Sequence, residues 1–496
     1  MRRARKFLVV NPPTGLYRRD DRCQSRVEDQ TIEVVFAPID LALYAAVLRR
    51  GGAEVRLRDY PGLRLGGAEF AQDLAAFAPD ALVFRTTLAT LEADLAACAR
   101  AKEAVPGLAT IGVGEALAQA REAVLSQRRE LDVVIAGEPE PTLEALAGAA
   151  DWSRVPGLSL RQGADESGAG CQPAWYESGA GCQPAQRVFS TPARPLLADL
   201  DILPYPARDL LENSRYVSPE TGRPLTVIHA HRGCPSKCVF CPAGALSHYR
   251  VRFRSPENVF GEIESCVREF GIRDFLFHGD TFTINKRWLI ELCRRIVEAR
   301  LDIRWGCNSR VDTMDDERAV WLAKAGCWVV AFGVESGSQE LLDRMKKGAR
   351  VEQAREAVAI CKRHGLRTHA FYIIGLPWES EATLGETFRL ARALDTDFFD
   401  FNIAYPLPGT EYYEIARAEG LLDEPALAQA SYAHAAARTL HLSREALERW
   451  RRRALLRLYL RPRYVARTLV RSGSPRVALR YVRAAVRRLR NLVSVR

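Results

Sequence analysis

The chain has 496 residues, 47% hydrophobic and 27% charged, a globular balance with room for two or three cores. Twelve cysteines would suit a secreted scaffold, but Phe7-Leu8-Val9-Val10 is too short for a signal-peptide core and no run approaches a membrane span, so a cytoplasmic protein with free or metal-bound thiols is expected. Residues 451–496 hold fifteen arginines and no Lys, Asp or Glu, which against a total of +10 leaves the rest at a net −5: the basicity belongs to a tail.

Residues 1–150 alternate strand and helix. Apolar runs at Phe7–Asn11, Glu54–Asp59, Ala81–Thr87, Thr110–Gly114 and Val133–Gly137 are separated by helical patterns such as Leu41–Arg50, which Gly51-Gly52 stops. This predicts a parallel sheet with helices on both faces, whose ligands sit beyond the carboxyl ends of its strands. Those ends carry Asn11-Pro12-Pro13-Thr14-Gly15, Thr86-Thr87, Gly112-Val113-Gly114-Glu115 and Gly137-Glu138-Pro139-Glu140. Residues 151–215 read as a hairpin (Leu158–Arg161 with Arg187–Ser190) and a linker. They enclose a nine-residue sequence, Glu166–Ala174, repeated at Glu177–Ala185, which is a duplicated loop insert whose Cys171 and Cys182 were copied passively.

Residues 216–415 hold the chemistry. After an apolar run from Thr226 to His229 comes His231-Arg-Gly-Cys234-Pro-Ser-Lys-Cys238-Val-Phe-Cys241. A glycine- and proline-bearing loop of this length lets three thiolates converge on one inorganic centre. The residues alone leave open a zinc site completed by His231 or His248 and a cubane cluster with one iron left for a small molecule. Six strand-like runs follow one another from Thr226 (226–233, 274–280, 302–310, 328–336, 367–377 and 398–408), with helices such as Pro256–Phe270 and Lys286–Ala299 between them. Repeated β-α units of this kind curl into a barrel with its site at the C-terminal strand ends.

The cysteine spacing resembles the signature of the radical S-adenosylmethionine (radical SAM) enzymes. With the domain before it, the chain resembles their cobalamin-dependent class B. The resemblance implies an α/β protein: a Rossmann-like cobalamin-binding domain over 1–150, the hairpin and linker over 151–215, a partial (β/α)6 TIM-type barrel over 216–415 and a helical C-terminal region over 416–496. It implies a 4Fe-4S cluster on Cys234, Cys238 and Cys241, and S-adenosylmethionine near Phe240, Asp280, Ser309, Arg310, Glu335, Ile374 and Gly375. Cobalamin is placed near Asn11, Pro12, Thr86, Thr87, Gly112, Gly114, Gly137 and Glu138. Two departures stand out. His278-Gly279-Asp280 occupies the place where the family usually has Gly-Gly-Glu or a variant. No Asp-x-His-x-x-Gly motif supplies a histidine beneath cobalt, since the first histidine is His229; the radical SAM branch commonly shares that absence.

The activity implied is methylation of an unactivated carbon through a 5′-deoxyadenosyl radical and methylcobalamin, on a small-molecule or lipid-like substrate, with an electron donor such as flavodoxin or ferredoxin. The rivals are oxidative cyclisation or rearrangement with the same cofactors, and a non-catalytic cobalamin or redox sensor with a DNA-binding tail.

In the tail, Ser474-Pro475 reads as a helix start. Ala478, Val482, Ala485, Leu489 and Leu492 then form one stripe, with Arg476, Arg480, Arg483, Arg487 and Arg490 nearly opposite. This face suits peripheral contact with an anionic membrane or a helix packed on the barrel; nucleic acid is the weaker reading.

Overall fold

The computed structural model describes residues 4–19, 24–27, 34–161, 187–427, 431–472, 475, 477–482 and 485–486. The duplicated insert with Cys171 and Cys182 lies outside them, as do Ser474, Arg476, Arg483, Arg487, Leu489, Arg490 and Leu492. The chain forms two compact units, Met1–Arg26 with Ala37–Arg215, and Val27–Phe36 with Tyr216–Arg496.

In the first unit, five parallel strands are β1 (Lys6–Asn11), β2 (Glu54–Asp59), β3 (Ala81–Arg85), β4 (Ala109–Val113) and β5 (Val133–Ile135), in the order β2-β1-β3-β4-β5. Phe7–Val10 and Ala81–Phe84 are wholly buried, as strands covered on both faces must be. The order reverses at β1, so the crevice between the carboxyl ends of β1 and β3 is the switch point where doubly wound sheets bind ligands. The hairpin β6 (Leu158–Arg161) and β7 (Val188–Ser190) adds two antiparallel strands beyond β5. Residues 151–215 therefore group with this unit rather than standing apart.

The second unit is an all-parallel sheet in sequential order: β8 (Leu225–His229), β9 (Asp274–His278), β10 (Arg304–Arg310), β11 (Cys327–Glu335), β12 (Arg367–Ile374) and β13 (Phe398–Ile403). β13 does not pair back to β8, so the barrel is open. Alternate residues such as Phe277, Trp305, Phe332, Tyr372 and Phe401 are fully buried beneath the helices. Cys266, Cys293, Cys307, Cys327 and Cys361 lie in this layer as small apolar residues.

The free side of β13 is closed by the C-terminal region. Arg451 Nε donates to Phe401 O (2.6 Å), Tyr459 Oη to Phe399 O (3.1 Å) and Tyr464 Oη to Asp397 O (3.0 Å). Arg467 pairs with Asp395 and Arg471 with Asp397. Residues 416–496 thus belong to the barrel unit, and several tail arginines are bound to it. At the barrel floor, Arg304 donates to Glu220 (2.9 Å) and lies 3.6 Å from the centre of the Trp328 ring. Tyr481 hydrogen-bonds the same carboxylate.

Glu379, just beyond β12, is 1% exposed. Burial pushes its carboxyl up to about 7, against hydrogen bonds from Thr383 and the Gly375 backbone. The folded state therefore holds a proton that the unfolded chain releases near 4.5. Its stabilisation is complete below that pH and is lost as pH rises to about 7, a change of about 3 kcal/mol. Glu379→Gln should flatten that segment of the stability-against-pH curve in urea melts from pH 5 to 8; an unaltered slope would show that another group sets it.

Candidate active site

The cysteine loop leaves β8 and is pinned on every side. Gly233, with φ +94°, lies so close to the Arg250 carbonyl and Ser247 that any side chain would collide. Ser247 Oγ accepts from Cys234 N at 3.3 Å. Val239 N donates to Met345 O (3.1 Å) and Val239 O accepts from Tyr412 N (2.8 Å). Its side chain is buried with Leu341, Leu342, Leu376 and Tyr412, and Phe240 and Ile373 flank the same apolar cluster. Cys234, Cys238 and Cys241 are half-buried and outside any disulfide.

Two cations stand at this loop. Arg310, the last residue of β10, donates to Ser236 Oγ (3.1 Å), to Lys347 O (2.7 Å) and to Asp312. Lys347 Nζ is buried and pairs with Glu335 Oε1 at 2.6 Å. Burial raises the Cys238 thiol pKa, while Lys347 and Arg310 favour its thiolate. Burial works against the Lys347 ammonium, yet Glu335 and Cys238 hold its pKa above the ordinary lysine value. Glu335 ends β11 at a break in register, with φ +65°. That conformation costs about 1–3 kcal/mol in a non-glycine residue and collects at functional sites. Its carboxylate lies over Gly333, where a Cβ would meet both members of the pair.

The other expected residues divide by the phase of their strands. Arg310 and Glu335 face the lumen side, but Ser309 is 5% exposed and hydrogen-bonded to Thr283 and Thr313 on the helix side. Ile374 likewise lies in the core beneath the helices, so Ile373 is the inward neighbour. Gly375 has φ +89° against Leu447, and its carbonyl accepts from Tyr412. Asp280 sits in the turn after β9. There the His231 ring is packed directly on Gly279 and against Phe253, which ties the cysteine loop to the Asp280 turn. Gly279→Ala should displace this buried ring at a cost of about 1–3 kcal/mol and weaken S-adenosylmethionine retention in equilibrium dialysis; wild-type retention would separate the two loops.

In the first unit, Asn11 donates to Asp59 (3.0 Å) after β1, and Pro12 O accepts from Thr14 N. Thr86 and Thr87 are buried after β3 in a hydroxyl cluster with Thr90. Gly112 is enclosed by Leu117, Leu131 and Phe84, and Gly114 abuts the Thr86 carbonyl. Neither glycine has room for a side chain. A Cβ on Gly137 would meet nothing within 4 Å, so that strand end opens on empty space. Glu138 accepts from Leu197 N at 2.7 Å.

These residues fit the groups that the motif implies. His231, a possible fourth zinc donor by sequence, is turned onto Gly279. Among the described residues no three His, Cys, Asp or Glu side chains stand close enough to share one metal ion, whereas a cubane takes each thiolate on a separate iron and spaces them more widely. The cations beside Cys238 suit the anionic cluster and a carboxylate. Lys347 is the residue that the sequence reading missed.

Residues 228–391 match the family model of the radical SAM superfamily, and residues 27–147 match that of the B12 binding domain. An uncharacterized methyltransferase of Pyrococcus horikoshii is 29% identical over 94% of this chain and 94% of its own. The anaerobic magnesium-protoporphyrin IX monomethyl ester cyclase of Rubrivivax gelatinosus is 28% identical over 66% of this chain and 60% of its own. Among solved structures, the radical S-adenosylmethionine methyltransferase TsrM from Kitasatospora setae, with cobalamin and a 4Fe-4S cluster bound, superposes with a TM-score of 0.62 at 19% identity, covering 84% of this chain and 78% of that one. With both domain models matched in one chain and the fold shared, the protein belongs to the cobalamin-dependent radical SAM enzymes, whose cofactors are a 4Fe-4S cluster, S-adenosylmethionine and cobalamin.

Proposed function

We propose that this enzyme methylates an unactivated carbon of a small molecule. The observation that carries the reading is its likeness, over nearly the whole of both chains, to the Pyrococcus methyltransferase. When bound, the cluster and S-adenosylmethionine supply a 5′-deoxyadenosyl radical, and cobalamin supplies a transferable methyl group. Cys234, Cys238 and Cys241 hold the cluster. Lys347 and Arg310 set positive charge beside it and face the methionine carboxylate, Asp280 takes the amine, and Glu335 takes the ribose hydroxyls through the oxygen that Lys347 leaves. The apolar cluster shared by Phe240 and Ile373 borders the adenine, where Gly375 lets the chain turn. In the first unit, the switch-point residues Asn11, Pro12, Thr86 and Thr87, with Gly137 and Glu138, border cobalamin. A flavodoxin- or ferredoxin-type protein delivers the electrons.

Oxidative cyclisation is the second reading, favoured by the likeness to the Rubrivivax cyclase. Products separate the two: anaerobically reconstituted enzyme with substrate yields S-adenosylhomocysteine and 5′-deoxyadenosine together if it methylates. Deoxyadenosine without coupled S-adenosylhomocysteine would overturn methylation. No described helix is long and apolar enough to cross a membrane. The membrane-surface reading of the tail gains no support: of its stripe Arg476, Arg480, Arg483, Arg487 and Arg490, only Arg480 is among the described residues.

A further inference from the structure

The interior of a closed TIM barrel is a packed core, and this open barrel departs from that. On β12, Thr368, Ala370, Tyr372 and Ile374 are fully buried beneath the helices, whereas His369, Phe371 and Ile373 between them are only half-buried. The same alternation runs along β10 and β11, where Asn308, Arg310, Val329, Ala331 and Gly333 are half-buried. The lumen is therefore hollow enough to admit solvent.

One level of that lumen is polar. The strand register sets His229 opposite His278. Asn308, one residue beyond the Phe277–Cys307 pairing, continues the level. Asn308 is opposite Ala331, and Ala331 is opposite His369. His229 and His278 approach through their Nδ1 atoms at 3.3 Å, a contact in which one ring donates to the other. His369 Nε2 lies 2.9 Å from Asp400 Oδ2, and its ring is 4.2 Å from that of Phe371. A carboxylate at Nε2 fixes the tautomer and leaves Nδ1 as an acceptor. Three of the chain's eight histidines thus share one layer.

The cations around this layer have carboxylate partners, and the layer itself carries a carboxylate. Among the described residues facing the lumen, Arg304 and Arg367 share Glu220, Arg310 is held by Asp312 and Lys347 by Glu335, and the Asp400 carboxylate accepts from Nε2 of a neutral His369. An anionic group placed at this level would meet the Asp400 carboxylate, since Arg310 and Lys347 stand at the strand ends beside the cysteine loop. A hydroxyl group would find acceptors and donors in the imidazoles and Asn308, with Phe371 as an apolar wall.

We propose that this layer, centred on the Asp400-oriented His369, is the substrate-binding site, and that it takes an uncharged, hydroxyl-bearing part of the substrate. The assignment rests on the enzyme reading above and names the substrate class. His369 acts here as a positioning residue: Nδ1 accepts the substrate hydroxyl and fixes the neighbouring carbon in the lumen.

Saturation-transfer NMR on the full-length protein tests the site without cofactor turnover, with myo-inositol and meso-erythritol as uncharged probes and succinate as the charged one. The hydroxylated probes should show the stronger signal, and Asp400→Asn and His369→Phe should each reduce it at least about fivefold, as expected for a lost hydrogen bond. Circular dichroism identifies any variant that fails to fold, and the other then carries the test. A signal unchanged in folded variants, or a preference for succinate, would overturn the assignment. Reductive cleavage of S-adenosylmethionine by wild-type enzyme is measured separately. If it yields no deoxyadenosine, the enzyme reading fails and takes the substrate assignment with it, whatever the saturation signal.

Discussion

Cys238→Ala protein, prepared and reconstituted without oxygen, should lack the brown iron–sulfur absorbance and make no 5′-deoxyadenosine, while binding cobalamin as the wild type does. The reason is local. Cys238 lies nearest the Lys347–Glu335 pair and Arg310 in the balance of charges, on a loop whose backbone is fixed at Cys234, Val239 and Cys241. No neighbouring thiol can swing in to replace it, because the remaining barrel cysteines are sealed beneath the helices. The stretch that matches the B12 binding domain lies largely in a unit with its own sheet and core, so cobalamin uptake should not depend on this thiol. Iron and sulfide content with cleavage assays provides the check; retention of both would remove Cys238 from the ligand set.

Lys347→Met should be the second severe lesion, and a different one. The substitution leaves Glu335 buried, opposite no ammonium and in a strained backbone conformation. Removing one member of a buried pair costs about 3–5 kcal/mol, which lowers the thermal midpoint of a unit this size by roughly 10 °C. Adding Glu335→Gln should restore much of the stability, since the orphaned charge then disappears. It should not restore cleavage of S-adenosylmethionine, which loses the cation and keeps only an uncharged, weaker acceptor for the ribose. A double variant as active as the wild type would reduce the pair to scaffolding.

Much of this was legible because parallel strands leave strong traces. Continuous apolar runs at Phe7–Asn11 and Ala81–Thr87 marked the strands Lys6–Asn11 and Ala81–Arg85, and a loop with three cysteines cannot be mistaken for a strand. What the sequence left open was phase. On β10, Trp305 and Cys307 already mark the helix-facing side, so Ser309 belongs with them and Asn308 with Arg310; the signal was present. Ile373 and Ile374 are both isoleucine, and nothing in the sequence says which one turns inward. Lys347 was hidden by its neighbour. In Met345-Lys346-Lys347-Gly348 two adjacent lysines read as surface charge, but Lys346 takes φ +54° and reaches Glu411 outside, while Lys347 turns in to Glu335. Only the folded turn distinguishes them. In the tail, composition does not tell an arginine on an exposed helix face from one bound to a strand carbonyl, as Arg451 is to Phe401.

The way Arg451, Tyr459 and Tyr464 occupy the carbonyls along β13 has a consequence for how this chain survives synthesis. A six-stranded sheet that does not close presents a ribbon of unanswered backbone groups, a template on which other chains can stack. Here the guard is made last, from residues that leave the ribosome after the sheet is complete. Until they arrive, the nascent protein carries an adhesive margin, and a chain cut short before Arg451 would keep it permanently.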